Sequence, residues 1–256
     1  MNETGAAPKR DWASALKPYL EKESLAAFFL GVSSGFPYAL IGATLTSRLA
    51  QDGIDKKTVT AFTLVFLAYN FKFLWAWIID GVRLPVLGAL GQRVSWLLLT
   101  GALVIAAVAN LALVDPAANI GWVATSAILV GIAGATFDIV IDAYRIETLK
   151  PYQLGTGSGM SQYGWRIGSA GAAAVALVVA ARYGWTAAYI ACAGFALPAV
   201  LTALVLGEPE RRQVVIEKRG VRDVWHHRGS CATAGPVATD QPTGSDCRRS
   251  GRRPVG

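Results

Sequence analysis

The stretch that decides the fold is Thr136-Phe-Asp-Ile-Val-Ile-Asp-Ala-Tyr-Arg-Ile-Glu147. It continues an apolar run that begins near Trp122 and so reads as the second half of a membrane-crossing helix. Carboxylates in such a run are expensive, at about 2.5–3.5 kcal/mol each on insertion scales, so they point to function. At about 100° per residue, Asp138, Asp142 and Arg145 fall on one face, and Glu147 points elsewhere. Two acids and a base on one stripe partly neutralise one another, which lowers the cost of burial. The same stripe could guide a proton or a polar solute, or could be an ion-paired packing face.

Working outward, five more apolar runs accompany this one: near residues 24–50, 58–79, 94–114, 157–181 and 185–206, with the decisive run at 120–146. Each approaches or exceeds the ~20 residues that cross a hydrocarbon layer. The joints carry turn signals: Asp52-Gly53, Arg83-Leu84-Pro85, Asp115-Pro116, Lys150-Pro151 and Tyr183-Gly184. Tryptophans 77, 96, 122 and 185 sit where an interfacial belt belongs. The fold class is therefore an all-α integral membrane protein with six transmembrane helices. Residues 1–23 form a cytoplasmic leader, 24–207 the membrane part, and 208–256 a basic cytoplasmic tail.

Composition agrees. Of 256 residues, 53% are hydrophobic and 16% charged, with mean hydropathy +0.40. Of the +7 net charge, +4 lies from Glu208 onward, which gives nucleic-acid binding little support. Cys192 lies in an apolar run and Cys231 and Cys247 in the tail, so no disulfide framework or metal cluster is expected. His226-His227 reads as a solvated pair. No cofactor or metal is expected. From about Trp225 the Arg-, Gly-, Ser- and Pro-rich text has no periodicity and is expected to be disordered. Counting Lys and Arg near the joints gives eight against four in favour of both termini inside.

Candidate site residues follow from polar groups inside apolar runs. In the first run, Gly31 and Gly35 allow close helix approach, and Pro37 should kink or break the helix. Such a break either serves packing or marks a transport site. In the second, Lys72 shares a face with Tyr69 and needs water, a carboxylate or an anion as partner. Snorkelling is the other reading. In the fifth, Gln162, Tyr163, Arg166 and Ser169 share one face, with Gly157, Gly164, Gly168 and Gly171 opposite. Lys72, Arg166, Tyr69, Gln162 and Tyr163 are thus candidates for binding an anionic solute, and Asp138 and Asp142 for proton coupling. Asp80, Arg145, Pro37, Gly164 and Gly168 are candidates for gating or structure. The Asp80–Arg93 loop, taken alone, reads as solvated with cationic anchors. Lys72, Arg166 and Asp138 are expected to line one central cavity. A faint echo links Gly35 and Lys72 with Gly134 and Arg166, as inverted repeats would.

Phe29-Leu-Gly-Val-Ser-Ser-Gly-Phe-Pro37, Tyr69-Asn-Phe-Lys-Phe-Leu-Trp-Ala76 and Phe137–Glu147 resemble the major facilitator superfamily, and within it the AmpG-like muropeptide permeases. The Asp80–Arg93 loop looks like a degraded form of the superfamily's loop signature. The resemblance covers roughly residues 24–210 and implies the N-terminal six-helix half of a major-facilitator fold. It further implies a bacterial inner-membrane secondary transporter that imports a polar anionic solute, such as anhydro-muropeptides, with H+. Siderophore and acetyl-CoA carriers are related branches. Partners would be the solute, the proton, the lipid bilayer and a second six-helix half, without nucleic acid. A truncation or shifted reading frame near residues 213–230 is one expectation, and a non-transporting remnant or assembly half is the alternative function. A membrane enzyme is the third reading. Gly134-xxx-Asp138-xxx-Asp142 copies the end of the CDP-alcohol phosphatidyltransferase signature, but residues 115–133 lack its upstream Asp-Gly-x-x-Ala-Arg block. No enzyme activity is expected.

Overall fold

The apolar runs become helices because a backbone in hydrocarbon must satisfy its own hydrogen bonds. The computed structural model describes residues 16–82 and 91–209. The elements are α1 (Lys22–Gln51), α2 (Lys56–Asn70), α3 (Phe73–Gly81), α4 (Gln92–Leu113), α5 (Ile120–Thr148), α6 (Leu154–Tyr183) and α7 (Trp185–Leu206). Among the described residues five of these are long and apolar enough to cross a membrane; α2 and α3, bent by 47° at a short break, are a sixth if the bent pair is one span. Most of the leader, the middle of the loop before α4, and the tail with Cys231, Cys247 and the histidine pair lie outside the described residues.

Helix ends are set by ordinary capping. Asp55 caps α2, its carboxylate accepting the N–H groups of Lys57 and Thr58 at 3.1 Å. The Thr58 hydroxyl and these N–H groups hold the Asp55 carboxyl below its usual range. Asn119 caps α5 through the Trp122 N–H at 3.0 Å. At Gly184, φ is +84°, a left-handed turn that links α6 to α7 and suits glycine.

The first span is expected to kink or break at Pro37, and the second to be continuous. Pro37 does not break α1. The helix continues through it and then widens to a π-helical turn at Leu40–Leu45. The second span does break, between Asn70 and Phe73, with no Pro or Gly at the break. The face shared by Lys72 and its neighbours in a continuous helix is therefore not maintained. Lys72 stands at the joint and leads into α3.

α1 packs most extensively on α6, and the sequence states how. A Cβ added to Gly164 or Gly168 would meet the backbone carbonyl of Phe28 or Val32. One added to Gly31 or Gly35 would meet the carbonyl of Ser161 or Trp165. Four glycines, two from each helix, thus let the two backbones touch. α1 is also held to α7, where Ser33 Oγ accepts the Ala199 N–H at 2.9 Å just after a 3-10 turn in that helix.

α4 is clamped at both ends. At its start, the Glu208 carboxylate accepts the N–H groups of Arg93 and Val94 at 2.9–3.0 Å. At its end, Arg48 donates to the carbonyls of Leu111 (3.3 Å) and Val114 (2.6 Å). An anion at the N-terminus and a cation at the C-terminus both complement the helix dipole. Arg48 is 7% exposed and lies over the Tyr189 ring, so it clamps α1, α4 and α7 together. Arg93 is no solvated anchor: it forms an ion pair with Glu147 at 2.6 Å. Because the α1–α6 contact is backbone against backbone, neighbouring side chains cannot relieve an added group. Gly164→Val and Gly168→Val should each cost about 1–3 kcal/mol or more, read as a lowered unfolding midpoint in detergent. Gly159→Val, with open space around it, should change the midpoint little. Equal effects at all three positions would contradict the packing.

Candidate functional site

The glycine contact fixes what faces the decisive stretch of α5. It sets Ser34 of α1 and Ser161 of α6 beside α5's charged stripe. Asp138 accepts a hydrogen bond from the Ser34 hydroxyl and pairs with the Lys72 ammonium. Asp142, one turn further along α5, lies 3.6 Å from the same ammonium. Its other oxygen meets Arg145 at 2.9 Å, and Arg145 donates to the Ser161 hydroxyl. The result is a continuous chain, Ser34–Asp138–Lys72–Asp142–Arg145–Ser161, contributed by α1, the α2–α3 joint, α5 and α6. It faces a cavity of about 360 Å³ also lined by Gln162 and Trp165.

The electrostatics are those of a balanced cluster. Two carboxylates face two cations, so the ionised chain is neutral. One added proton makes it net cationic, and an anion could then replace a carboxylate as partner of Lys72 or Arg145. The break in the second span puts Lys72 on this axis. Among the described residues no group of three His, Cys, Asp or Glu side chains could hold a metal ion.

The other candidates are placed as follows. Arg166 does not share this cavity. It lines a second one of about 550 Å³ with Tyr38, Phe66, Trp165 and Ser169. Lys72 and Asp138 thus line one cavity and Arg166 another, with Trp165 in the lining of both, because Arg166 lies one turn further along α6 than Gln162. Tyr163 lines neither and is 66% exposed. It sits about 100° around the helix from Gln162 and so points away. Tyr69 packs beside Tyr38 and Phe66 at ring distances of 6.0 and 6.5 Å, its hydroxyl against Gly134 and without a hydrogen-bond partner among the described residues. Pro37 also packs on Gly134, and Gly164 and Gly168 form the helix contact. Asp80 belongs to α3, but its side chain lies outside the described part. Ser34, Ser161 and Trp165 were missed by reading charges alone. Their signal was position: Ser34 lies between Gly31 and Pro37, and Ser161 and Trp165 flank Gln162 and Arg166.

A further network closes the end of the bundle where α5 stops and α6 starts. Gln153, fully buried, donates to Glu21 and, at 3.3 Å, to Glu23. Lys150 pairs with Glu23 at 3.4 Å, and that carboxylate raises the Lys150 ammonium above its usual range. These contacts tie the start of α1 to the α5–α6 joint.

The ion chain makes a quantitative prediction. Lys72→Gln leaves Asp138 without its cation and the chain with one negative charge in excess, since Asp142 keeps Arg145, and Asp138→Asn leaves a cation in excess. The double variant Lys72→Gln/Asp138→Asn is again neutral. The side chains are 31% and 15% exposed, which weakens the effect, so a coupling of about 1 kcal/mol is expected from a double-mutant cycle on thermal unfolding. Strict additivity would show that the pair carries no coupling.

Comparison with known proteins matches this architecture. The Major Facilitator Superfamily profile covers residues 25–241. The chain is 33% identical over 195 residues to "Anhydromuropeptide permease" of Escherichia coli K12, an alignment covering 76% of this chain and 39% of that protein. It is 29% identical over 185 residues to "Putative transporter AmpG 4" of Rickettsia felis, covering 72% and 45%. With "Putative transporter AmpG 1" of the same organism it shares 27% over 210 residues, covering 80% and 48%. The chain spans less than half the length of these relatives. The superfamily is one of transporters, and the phosphatidyltransferase reading of Gly134, Asp138 and Asp142 falls with that. By its helical order, its profile and its AmpG-type relatives, this chain belongs to the major facilitator superfamily.

Proposed function

We propose that this chain supplies one six-helix half of a proton-coupled importer for a polar anionic solute, with the Ser34–Ser161 ion chain as its coupling site. The observation that carries this reading is the charge balance around Lys72. Asp138 and Asp142 neutralise Lys72 and Arg145 when all four are ionised. A proton taken up by either carboxylate releases a cation, and an anionic solute can occupy the vacated contact. Proton and anion then enter together, because neither is stable in the low-dielectric site without the other. Lys72 and Arg145 would hold the anion, Asp138 or Asp142 the proton, and Gln162 would hydrogen-bond the solute's polar groups. The names of the relatives favour anhydro-muropeptides as the solute, which carry carboxylates and fit a site of this polarity. Their origin favours a bacterial inner membrane, with both chain ends of the six-helix unit inside.

The relatives' length supports a second six-helix half as partner. So does Arg166, which has no ion-pair partner among the described residues and faces open space. The alternative reading is a non-transporting membrane remnant or assembly half.

The test is uptake of a labelled anhydro-muropeptide by bacteria lacking their own permease. The chain is expressed alone and together with a second six-helix half from a relative. Uptake in at least one arm is expected, abolished by a protonophore and reduced tenfold or more by Lys72→Gln or Asp138→Asn. Wild-type uptake in both variants, or no uptake in either arm, would overturn the reading.

A further inference from the structure

Lys72 reaches the ion chain from a short helix that the break in the second span separates from α2. The helical run stops between Asn70 and Phe73, and α3 starts from a turn in which the Leu74 N–H donates to the Phe71 carbonyl at 2.9 Å. α3 turns one stripe to the bundle: Lys72 at its N-cap, then Trp75, then the buried Ile79. Phe73, Leu74, Trp77 and Ile78, on its other side, are exposed. At the far end α3 is held by Trp96, whose indole N–H donates to the Val82 carbonyl at 2.9 Å. At the near end two side chains grip α5. Lys72 pairs with Asp138 and lies 3.6 Å from Asp142. The Trp75 indole N–H donates to the Thr136 hydroxyl at 3.1 Å. Thr136 gives its own proton to the Ile132 carbonyl at 2.7 Å, so its oxygen is left to accept the indole.

The geometry points to Trp75 as a positioning residue that holds Lys72 against Asp138 and Asp142. At 100° per residue, Thr136 and Asp138 lie about 160° apart around α5. Trp75 and Lys72 therefore take hold of α5 on opposite flanks, and α3 straddles it. One grip alone would let α3 roll about α5, whereas two opposite grips fix its rotation. The restraint is needed because the break removes the i→i−4 hydrogen bonds that would carry the orientation of α2 into α3. Lipid supplies little hydrophobic force between helices, so a directed hydrogen bond between them matters more. Without it, the ammonium on its flexible stem has to find the carboxylates unaided. The Lys72 pairing then weakens although no charge has changed. Trp75 lines neither the ion-chain cavity nor the Arg166 cavity, so it acts through Lys72. The inference rests on the coupling-site reading for its meaning, but its test needs no transport.

The test is a triple-mutant box on the full chain in lipid nanodiscs, read by thermal unfolding. The coupling between Lys72→Gln and Asp138→Asn is measured in the native chain and again in the presence of Thr136→Val, Thr136→Ser or Trp75→Phe. Thr136→Val keeps the shape of the side chain and removes the acceptor, and Thr136→Ser keeps the acceptor. The coupling should fall about threefold or more with Thr136→Val and with Trp75→Phe, and be retained with Thr136→Ser. A merely structural role would lower the unfolding midpoint and leave the coupling at its native size, and that result would overturn the inference. So would equal loss with Thr136→Ser and Thr136→Val. Should Trp75→Phe fail to fold, Thr136→Val decides. No coupling in the native chain would overturn the inference together with the ion chain it depends on. Failure of uptake with the expected coupling pattern intact would overturn the transporter reading and leave the role of Trp75 standing.

Discussion

Everything in this half-bundle depends on the backbone contact between α1 and α6. Gly31 and Gly35 on one helix and Gly164 and Gly168 on the other bring carbonyls and α-carbons together. In a bilayer there is little hydrophobic force between helices, so close approach itself has to supply the packing energy. The same approach fixes side-chain positions. Ser34 and Ser161, beside the contact glycines, are carried to Asp138 and Arg145. A wider α1–α6 spacing would leave Asp138 and Arg145 of α5 without their hydroxyl partners. The packing motif and the polar site are one construction.

The second constraint is charge. Asp138, Asp142, Arg145 and Lys72 can share a membrane-embedded cavity only because they compensate one another. The helix break at the α2–α3 joint places Lys72 on the axis of the two carboxylates. The charged clamps elsewhere, Arg48 and Glu208 on the two ends of α4 and Arg93 with Glu147, lie at the ends of the bundle rather than in its middle. They hold helices together, and the central chain is the one that faces a cavity.

The helices and the α5 stripe were legible in the sequence. Apolar run length follows from bilayer thickness, and Asp138, Asp142 and Arg145 share a face by helical period alone. The tight packing of α6 was legible too, since glycines at four- and seven-residue spacing have few other uses in a membrane helix. The break in the second span was not legible, because Asn70, Phe71 and Lys72 carry no helix-breaking residue. The role of Arg48 at the end of α4 was not legible either, because it depends on contacts with residues 63 and 66 positions away. The separation of Arg166 from Lys72 was hidden as well. Periodicity places Gln162 and Arg166 on one face, but they stand a turn apart, Gln162 beside the ion chain and Arg166 beside Tyr38 and Phe66.

The central claim is that proton and solute meet at the Lys72–Asp138–Asp142 chain. Its most direct test is proton movement in proteoliposomes containing the chain with a second six-helix half, driven by an anhydro-muropeptide gradient and followed by a pH-sensitive dye inside. The account predicts solute-dependent acidification that disappears in the Asp138→Asn/Asp142→Asn double variant. Undiminished acidification in that variant would contradict it.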